Sequence, residues 1–295
     1  MARILLTGVS GQVGHELLKM LTPLAEVIAL TRQDMDLSNQ ASILQVLEKY
    51  QPTIIVNPAA YTAVDKAESE QKQAYLINYD APKIMAEWAA AHNALLVHYS
   101  TDYVFDGTKE GSYVEEDTPN PQSVYGLSKL LGEQAIQQSG AKNLIFRTSW
   151  VFGVHGNNFI KTIIRLAKER ESLNVVADQH GAPTSAHLIA QVTTQVLVQY
   201  LQDAQFNAYG IYHLTASGET TWHEYAQFIV EKVKSKQSVI LIKDNINAIS
   251  SSAYPVPAKR PANSRLNCDK IVTTFKVGLT NWQQDVLNVI NIVCH

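Results

Sequence analysis

The sequence is poor in cysteine, in long apolar runs and in net charge, and each shortage argues against a class of protein. Its two cysteines, Cys268 and Cys294, show no metal-ligand spacing, so neither a disulfide framework nor a zinc site is expected. Lysine and arginine number 24 against 27 aspartates and glutamates, a net charge of −3 that gives no electrostatic footprint for nucleic acid. No stretch reaches the length of a membrane span, and the apolar run before Gly8 is too short for a signal-peptide core. We therefore expect a cytoplasmic protein that binds neither nucleic acid nor a membrane.

A glycine-rich turn follows the first predicted strand. Arg3–Thr7 is an apolar run of strand length, and Gly8-Val-Ser-Gly11-Gln-Val-Gly14 leads from it into a segment with helical apolar spacing. Strand, glycine-rich turn and helix in this order are typical of dinucleotide binding, because the glycines let the backbone approach a pyrophosphate that the helix N-terminus then holds. The spacing is Gly-x-x-Gly-x-x-Gly and differs from the Gly-x-Gly-x-x-Gly of the standard dehydrogenase fingerprint. The pattern predicts an α/β protein with a Rossmann-type, doubly wound parallel sheet.

Three more apolar runs, 26–30, 52–56 and 95–99, are predicted as strands of this sheet. In a Rossmann unit the residue after the second strand reads the adenosine ribose and is acidic for NAD but basic for NADP. Arg32 stands there and favours NADPH, with NADH still possible. The last of these runs delivers Ser100 and Thr101 at its carboxyl end, the edge at which ligands bind in open α/β sheets.

Tyr125 and Lys129 stand four residues apart in a predicted helix, so both side chains project from one face. An adjacent ammonium favours the phenolate and lowers the pKa of a phenol, which makes the tyrosine a usable acid or base. Such a pair can move a proton to or from an alcohol oxygen while a hydride moves elsewhere. Tyr125, Lys129 and Thr101 are the predicted catalytic residues.

These motifs, with further segments, resemble the extended short-chain dehydrogenase/reductases and, within them, the dTDP-4-dehydrorhamnose reductase family. The glycine turn and Tyr-x-x-x-Lys occur throughout that superfamily, whereas Ala63-Val-Asp-Lys-Ala-Glu68, Arg147-Thr-Ser-Trp150 and Asn263-Ser-Arg-Leu266 are specific to this branch. The matching segments are 8–14, 57–68, 98–105, 125–129, 146–152, 156–159, 178–184 and 253–266. The resemblance implies reduction by NAD(P)H of the C4 ketone of dTDP-4-dehydro-β-L-rhamnose to dTDP-β-L-rhamnose.

The resemblance also implies a role for individual positions. Tyr125 would donate the proton, Lys129 would bind the nicotinamide ribose and lower the pKa of the phenol, and Thr101 would hydrogen-bond the reacting oxygen. The cofactor would be held by Gly8, Gly11, Gln12, Val13, Gly14, Arg32, Asp36, Leu37, Ala60, Tyr61, Thr62, Tyr99, Tyr125 and Lys129. The substrate would be held by Thr101, Asp102, Trp150, Asn158, Arg260 and Arg265.

The character of the chain changes after about residue 155. We expect a dinucleotide-binding domain over 1–155 and a smaller, mainly nucleotide-sugar-binding domain over 156–295, with a strand near 210–214 returning to the main sheet. Helices are predicted at 78–93, 159–168 and 188–200. The proline-rich loop 253–261 carries Lys259 and Arg260, and with nearby Arg265 it is a candidate grip for the substrate pyrophosphate, because arginine suits bidentate phosphate binding.

Two other functions remain open at this point. A 4,6-dehydratase or 4-epimerase would share the fold, but related dehydratases carry Thr-Asp-Glu where this chain has Thr101-Asp102-Tyr103, so the carboxylate base is replaced by a phenol. A non-catalytic dinucleotide-binding regulatory subunit is the other alternative, although Thr101, Tyr125 and Lys129 are all present.

Metal-bridged assembly is where the chain departs from its resemblance. Some family members bridge two subunits through magnesium held by glutamates, and the corresponding positions here are Glu16, His187 and Ile292. Magnesium requires several hard oxygen ligands, which imidazole and isoleucine do not supply. We expect no metal requirement and either a monomer or a homo-oligomer that is not bridged by metal.

Overall fold

The computed structural model describes residues 2–294 and contains the α/β architecture predicted from the sequence. The strands are β1 (Arg3–Leu6), β2 (Glu26–Ala29), β3 (Ile54–Asn57), β4 (Leu95–Thr101), β5 (Lys142–Thr148), β6 (Val151–Phe152), β7 (Leu173–Val176), β8 (His180–Gly181), β9 (Thr184–Ser185), β10 (Gly210–His213), β11 (Thr220–Thr221) and β12 (Ile246–Ile249). The helices are α1 (Gln12–Leu21), α2 (Gln40–Tyr50), α3 (Val64–Ala67), α4 (Gln71–Tyr75), α5 (Ala81–Ala91), α6 (Val124–Gln138), α7 (Phe159–Glu169), α8 (Ala186–Gln202), α9 (Trp222–Lys234), α10 (Asp269–Phe275) and α11 (Trp282–Val293).

Six strands form one parallel sheet in the order β10-β5-β4-β3-β1-β2. From β1 the chain goes outward on one side to β2 and then returns to build β3, β4 and β5 on the other side. This reversal separates the loops that follow β1 and β3, and such a switch point opens a crevice beyond the carboxyl ends of the strands. Strand β10, Gly210–His213, lies at the sheet edge beside β5. The predicted Rossmann-type sheet is confirmed.

Helices cover both faces of the sheet, which explains why its strands read as continuous apolar runs. In β1 the alternation of side chains sends Ile4 and Leu6 to one face, with Leu17 of α1 and Val192 of α8. Leu5 points to the opposite face, where it joins a separate core cluster that includes α2 and α5. The C-terminal half of the chain adds three two-stranded pairs, β6 with β9, β8 with β11 and β7 with β12.

The predicted helix 78–93 differs from the structure in its first turn. Residues Leu76–Asp80 form a π-helical turn, and α5 begins after it at Ala81. Asn78 lies within this turn and its backbone oxygen is so close to α6 that a Cβ on Gly132 would approach it to 2.2 Å. The widened turn therefore sits where α6 approaches, and π turns frequently occur at functional positions. Among residues 2–294, no helix is long and apolar enough to cross a membrane.

Candidate active site

A cleft of about 750 Å³ lies beyond the carboxyl ends of the central strands. It gathers most of the residues that were predicted from the sequence, and these come from six separate segments of the chain. The nominated residues that line it are Gly8, Gly11, Gln12, Val13, Gly14, Arg32, Asp36, Leu37, Ala60, Tyr61, Thr62, Tyr99, Thr101, Asp102, Tyr125, Lys129 and Trp150. Asn158, Arg260 and Arg265 are not among its lining residues.

The glycine turn is shaped to let a ligand reach backbone N–H groups. Gly8 adopts a φ of +59°, which favours glycine, and a Cβ on Gly14 would lie 2.1 Å from the Gly8 oxygen. Helix α1 begins directly after Gly11, which provides no side-chain cap. The first N–H groups of α1 therefore face the cleft without a side-chain partner, and a helix N-terminus of this kind binds phosphate. These residues fit the pyrophosphate of a dinucleotide.

Asn158 supports this turn from outside the cleft. Its Nδ2 donates to Gln12 Oε1 at 3.0 Å and to the Gly153 oxygen at 2.7 Å, and its Oδ1 caps α7 by accepting from the Lys161 N–H at 3.1 Å. Both polar atoms of the side chain thus have protein partners. The structure places this predicted substrate ligand as a support for Gln12.

Arg32, which also lines the cleft, is exposed and has no ion pair within residues 2–294. Asp36 lies close to it and accepts hydrogen bonds from the Ser38 N–H and hydroxyl at 3.0 and 2.7 Å, and these bonds lower the pKa of the carboxyl group. The guanidinium is thus available to an anion at the rim of the cleft, next to Leu37.

Asn78 holds the segment that contains Ala60, Tyr61 and Thr62. Its Oδ1 accepts from the Tyr61 N–H at 2.8 Å, while its Nδ2 donates to the Tyr61 oxygen at 3.1 Å and to Ser128 Oγ at 3.0 Å. One buried amide therefore ties the loop after β3 to α6. Sequence reasoning missed this residue, although an asparagine in a predicted helix is a signal, since a buried amide needs partners.

The fourth strand and α6 bring the three predicted catalytic residues to the cleft. Ser123 caps α6 by accepting from the Gly126 N–H at 3.1 Å, and Gly126 packs so closely on the turn after β4 that a Cβ would lie 2.2 Å from the Tyr103 oxygen. Burial raises the pKa of Tyr125 to about 12, although the facing Thr101 hydroxyl opposes the shift, so the lowered pKa that the adjacent ammonium predicted is not found in the resting site. Tyr125 is therefore protonated at neutral pH, as a proton donor must be.

Lys129 is only 2% exposed, and its ammonium is held by the protein on two sides. Nζ donates to the Tyr99 oxygen at 2.6 Å and lies 3.1 Å from His98 Nε2. Burial lowers the pKa of Lys129 to about 8, opposed by the charge of Glu133. The Tyr99 ring points elsewhere, since its hydroxyl meets Thr193 Oγ1 at 2.9 Å, so Tyr99 acts at this site through its backbone.

Behind Lys129, α6 and β5 are joined by a buried ion pair. Arg147 Nε and Nη2 meet both carboxylate oxygens of Glu133 at 2.6 to 3.2 Å, and the side chains are 2% and 1% exposed. Tyr125, Lys129 and Glu133 follow one another at four-residue intervals, so they share a face of α6. Neither Glu133 nor Arg147 is among the catalytic or binding residues predicted from the sequence.

Asp102 and Trp150 stand at the predicted sugar end of the cleft. Asp102 is buried and one of its oxygens accepts from Thr101 Oγ1 at 3.0 Å, and burial raises the pKa of its carboxyl group to about 6. Trp150 has a φ of +49°, unusual for a bulky residue, and stacks on Trp222 with ring centroids 3.8 Å apart. A Cβ on Gly181 would come within 2.8 Å of the Trp150 ring, so the indole is fixed from two sides.

Lys259, Arg260 and Arg265 do not form one phosphate-binding site. Arg260 pairs with Asp65 at 2.9 Å, Arg265 pairs with Glu219 at 3.3 Å, and Lys259 Nζ donates to Gln122 Oε1 at 3.1 Å. The proximity of these cations in sequence predicted a shared phosphate site, but the fold gives each one a separate partner. Arg260 and Arg265 therefore each have a carboxylate partner of their own.

The structure also describes Glu16, His187 and Ile292, the three positions that the resemblance associates with a bridging magnesium ion. Glu16 Oε2 lies 3.5 Å from His187 Nδ1, its other oxygen accepts from Lys19 Nζ at 2.9 Å, and Ile292 is 60% exposed. Within residues 2–294 no group of three or more His, Cys, Asp or Glu side chains is arranged to hold a metal ion.

Comparison with known proteins supplies the family context for this geometry. A family model described as RmlD substrate binding domain matches residues 2–294. A dTDP-4-dehydrorhamnose reductase of Salmonella typhimurium is 46% identical over 287 residues, which cover 96% of this chain and 95% of that protein. The crystal structure of a dTDP-4-dehydrorhamnose reductase from Clostridium acetobutylicum superposes with a TM-score of 0.91 at 35% identity, covering 99% of this chain and all of the other. That of the Bacillus anthracis reductase in complex with NADP gives 0.86 at 33% identity, covering 99% of this chain and all of the other.

Proposed function

The chain belongs to the dTDP-4-dehydrorhamnose reductase family, and from that premise we propose that it uses NADPH to reduce the C4 ketone of dTDP-4-dehydro-β-L-rhamnose to dTDP-β-L-rhamnose. The observation that carries this proposal is the meeting of Thr101, Tyr125 and Lys129 in the same cleft as the uncapped N-terminus of α1. One end of the cleft suits a dinucleotide and the other holds the groups that move a proton. NADPH is the expected cofactor for two reasons. The Bacillus anthracis reductase, 33% identical to this chain, was crystallised in complex with NADP. Arg32 lines the cleft and can bind a 2′-phosphate.

The cofactor supplies a hydride when bound, and the protein supplies position and a proton. The glycine turn and the first N–H groups of α1 would hold the pyrophosphate, and Arg32 would bind the 2′-phosphate. Ala60, Tyr61 and Thr62, fixed by Asn78, line the nicotinamide side.

Tyr125 donates its phenolic proton to the C4 oxygen as the ketone becomes an alcohol. Thr101 hydrogen-bonds that oxygen, and the Lys129 ammonium stabilises the phenolate that Tyr125 leaves behind. Asp102 and Trp150, which also line the cleft, would contact the deoxysugar.

A spectrophotometric assay of NADPH oxidation tests the function directly. Purified protein is mixed with NADPH and dTDP-4-dehydro-β-L-rhamnose, and NADPH absorbance is followed while the sugar nucleotide is identified by mass and NMR. Stoichiometric NADPH oxidation with formation of dTDP-β-L-rhamnose is expected. A 4,6-dehydratase would convert dTDP-glucose without net loss of reduced cofactor, and a non-catalytic subunit would bind NADPH without turnover.

Cofactor choice gives a first prediction. We expect Arg32→Ala to weaken NADPH binding more than NADH binding, by about 1–2 kcal/mol for one exposed charge-assisted contact. Dissociation constants for both cofactors, measured by fluorescence titration at fixed ionic strength, provide the check. Arg170→Ala, an exposed arginine at the end of α7 and absent from the cleft lining, is the matched control. Equal losses for NADPH and NADH in Arg32→Ala would show that the residue does not read the 2′-phosphate.

The second prediction is that activity does not depend on a metal ion. We also propose that any self-association of the chain uses a face without a bridging metal. EDTA should leave turnover and the sedimentation coefficient unchanged, because His187 and Ile292 offer no oxygen ligand beside Glu16. Sedimentation velocity and steady-state rates are compared before and after chelation. Activity lost with EDTA and restored by magnesium would contradict this prediction.

A further inference from the structure

His98 is fully buried at the centre of a polar network that links the glycine turn to the catalytic lysine. Its Nε2 lies 3.1 Å from Lys129 Nζ and its Nδ1 lies 3.3 Å from the Asn57 amide. The other amide atom of Asn57 is 2.6 Å from the hydroxyl of Thr7, the residue that precedes Gly8. Four side chains, from the loop after β1, from β3, from β4 and from α6, are thus in series.

The donors and acceptors fix how this network is arranged when Lys129 is charged. An ammonium can only donate, so Nε2 of His98 must be an acceptor and the ring proton must reside on Nδ1. In the structure the Asn57 amide nitrogen faces Nδ1 and its oxygen accepts from the Thr7 hydroxyl. A half-turn of the amide, which exchanges its oxygen and nitrogen, gives the Nδ1–H an acceptor. Burial and the positive charge of Lys129 hold the pKa of His98 well below its usual value, so the imidazole stays neutral and can accept.

We propose that His98 is a positioning residue for the reduction: its neutral Nε2 accepts a hydrogen bond from the Lys129 ammonium, fixes Nζ between the ring and the Tyr99 carbonyl, and keeps the proton on the amine. A buried ammonium needs such acceptors because the interior offers it no water. The inference rests on the proposed function, in which the Lys129 charge stabilises the Tyr125 phenolate.

Other charged and titratable groups around the pair come from three elements. Glu133 on α6 favours the charged lysine, but Arg147 on β5 neutralises that carboxylate through a bidentate contact. Tyr125 lies one turn earlier on α6 and is neutral at rest, and the turn after β4 places Asp102 and Tyr103 on the Tyr125 side. The partner from β3, Asn57, is an uncharged amide. His98 is therefore the side chain that contacts Nζ directly.

The sign of the effect follows from this arrangement. A hydrogen bond to the charged form raises the pKa of Lys129, so removing the acceptor lowers that pKa from its value of about 8. Turnover requires the ammonium and is lost as pH rises through this pKa. The alkaline limb of the kcat profile should consequently move to lower pH when Nε2 is removed.

A matched pair of amide substitutions separates positioning from simple packing. His98→Gln places an amide near the location of Nε2, whereas His98→Asn places one near Nδ1 and leaves Nζ without its partner. We expect His98→Gln to keep a near-native profile. His98→Asn should move the alkaline limb down by about one pH unit, which lowers kcat at pH 8 about fivefold, with little change in KM.

A second experiment measures the pKa of Lys129 in the absence of cofactor and turnover. The protein is labelled with 13C-lysine, the Lys129 resonance is assigned from its absence in Lys129→Met, and its titration is followed by NMR in the cofactor-free protein. The midpoint should be lower in His98→Asn than in the native protein or His98→Gln. If His98→Asn does not fold, Asn57→Ala serves instead, because it removes the Nδ1 partner and should move the midpoint in the same direction.

The outcomes distinguish this inference from the function on which it rests. Native protein that fails to oxidise NADPH with the keto sugar contradicts the proposed function, whereas an unchanged Lys129 titration in His98→Asn contradicts the role of His98. Equal loss of kcat in His98→Asn and His98→Gln without a shifted pH profile also overturns it, since that result describes a packing role only.

Discussion

Tyr125→Phe is expected to lower kcat by about 10²–10⁴, the usual contribution of general acid–base catalysis. The substitution removes one hydroxyl from the cleft and retains the ring that packs edge-on against Tyr103, with centroids 5.5 Å apart. NADPH affinity should stay close to native, because the glycine turn that suits the pyrophosphate and the Lys129 side chain that suits the ribose are both retained. Single-turnover rates and a fluorescence titration with NADPH measure the two quantities separately.

The matched control is Tyr103→Phe, since Tyr103 also lines the cleft and stands next to Tyr125. Burial raises the pKa of Tyr103 further from neutrality, and the neighbouring Asp102 carboxyl group adds to the shift. We expect this variant to retain most of its turnover. Near-native turnover by Tyr125→Phe together with a large loss in Tyr103→Phe would mean that the acid is the other phenol.

Arg147→Met is expected to cost about 3–5 kcal/mol of the free energy of unfolding, because it leaves the Glu133 carboxylate buried without its partner. Domains are stable by only about 5–15 kcal/mol, so the variant should be close to unfolding at physiological temperature. Urea denaturation followed by circular dichroism gives the free energy. The effect should reach the site as well, because Glu133 is one turn from Lys129 on α6 and favours its charge.

Two further variants identify the cause of that loss. Arg165→Ala removes an exposed ion pair with Glu169 of similar length, 2.7 Å, and should cost about 1 kcal/mol or less. Arg147→Met with Glu133→Leu removes both buried charges and should recover much of the stability lost by Arg147→Met alone. A double variant as unstable as the sum of the two single ones would show that packing, and not an unpaired charge, sets the cost.

Local sequence determined the parts of this protein whose physics is local. Apolar runs of strand length, a glycine turn that only glycine backbones can form, and a tyrosine and lysine at helical spacing each carry their meaning within a few residues. A parallel sheet then obliges the carboxyl ends of its strands to share one edge, which explains why most nominated residues line a single cleft. The fold class, the cofactor end of the cleft and the candidate catalytic set could therefore be predicted.

Tertiary structure alone decided which polar residues bond to one another. His98 reads as one polar residue in an apolar strand and Asn57 as the end of another, and only the pairing of β3 with β4 and the docking of α6 brings them to Lys129. Arg260 and Arg265 lie close together in sequence yet bond to Asp65 and Glu219, because carboxylates brought in from distant segments reach them in the fold. Burying a charge without a partner costs several kcal/mol. The partner of a buried charge is therefore a group that the fold brings close, and long-range packing decides which group that is.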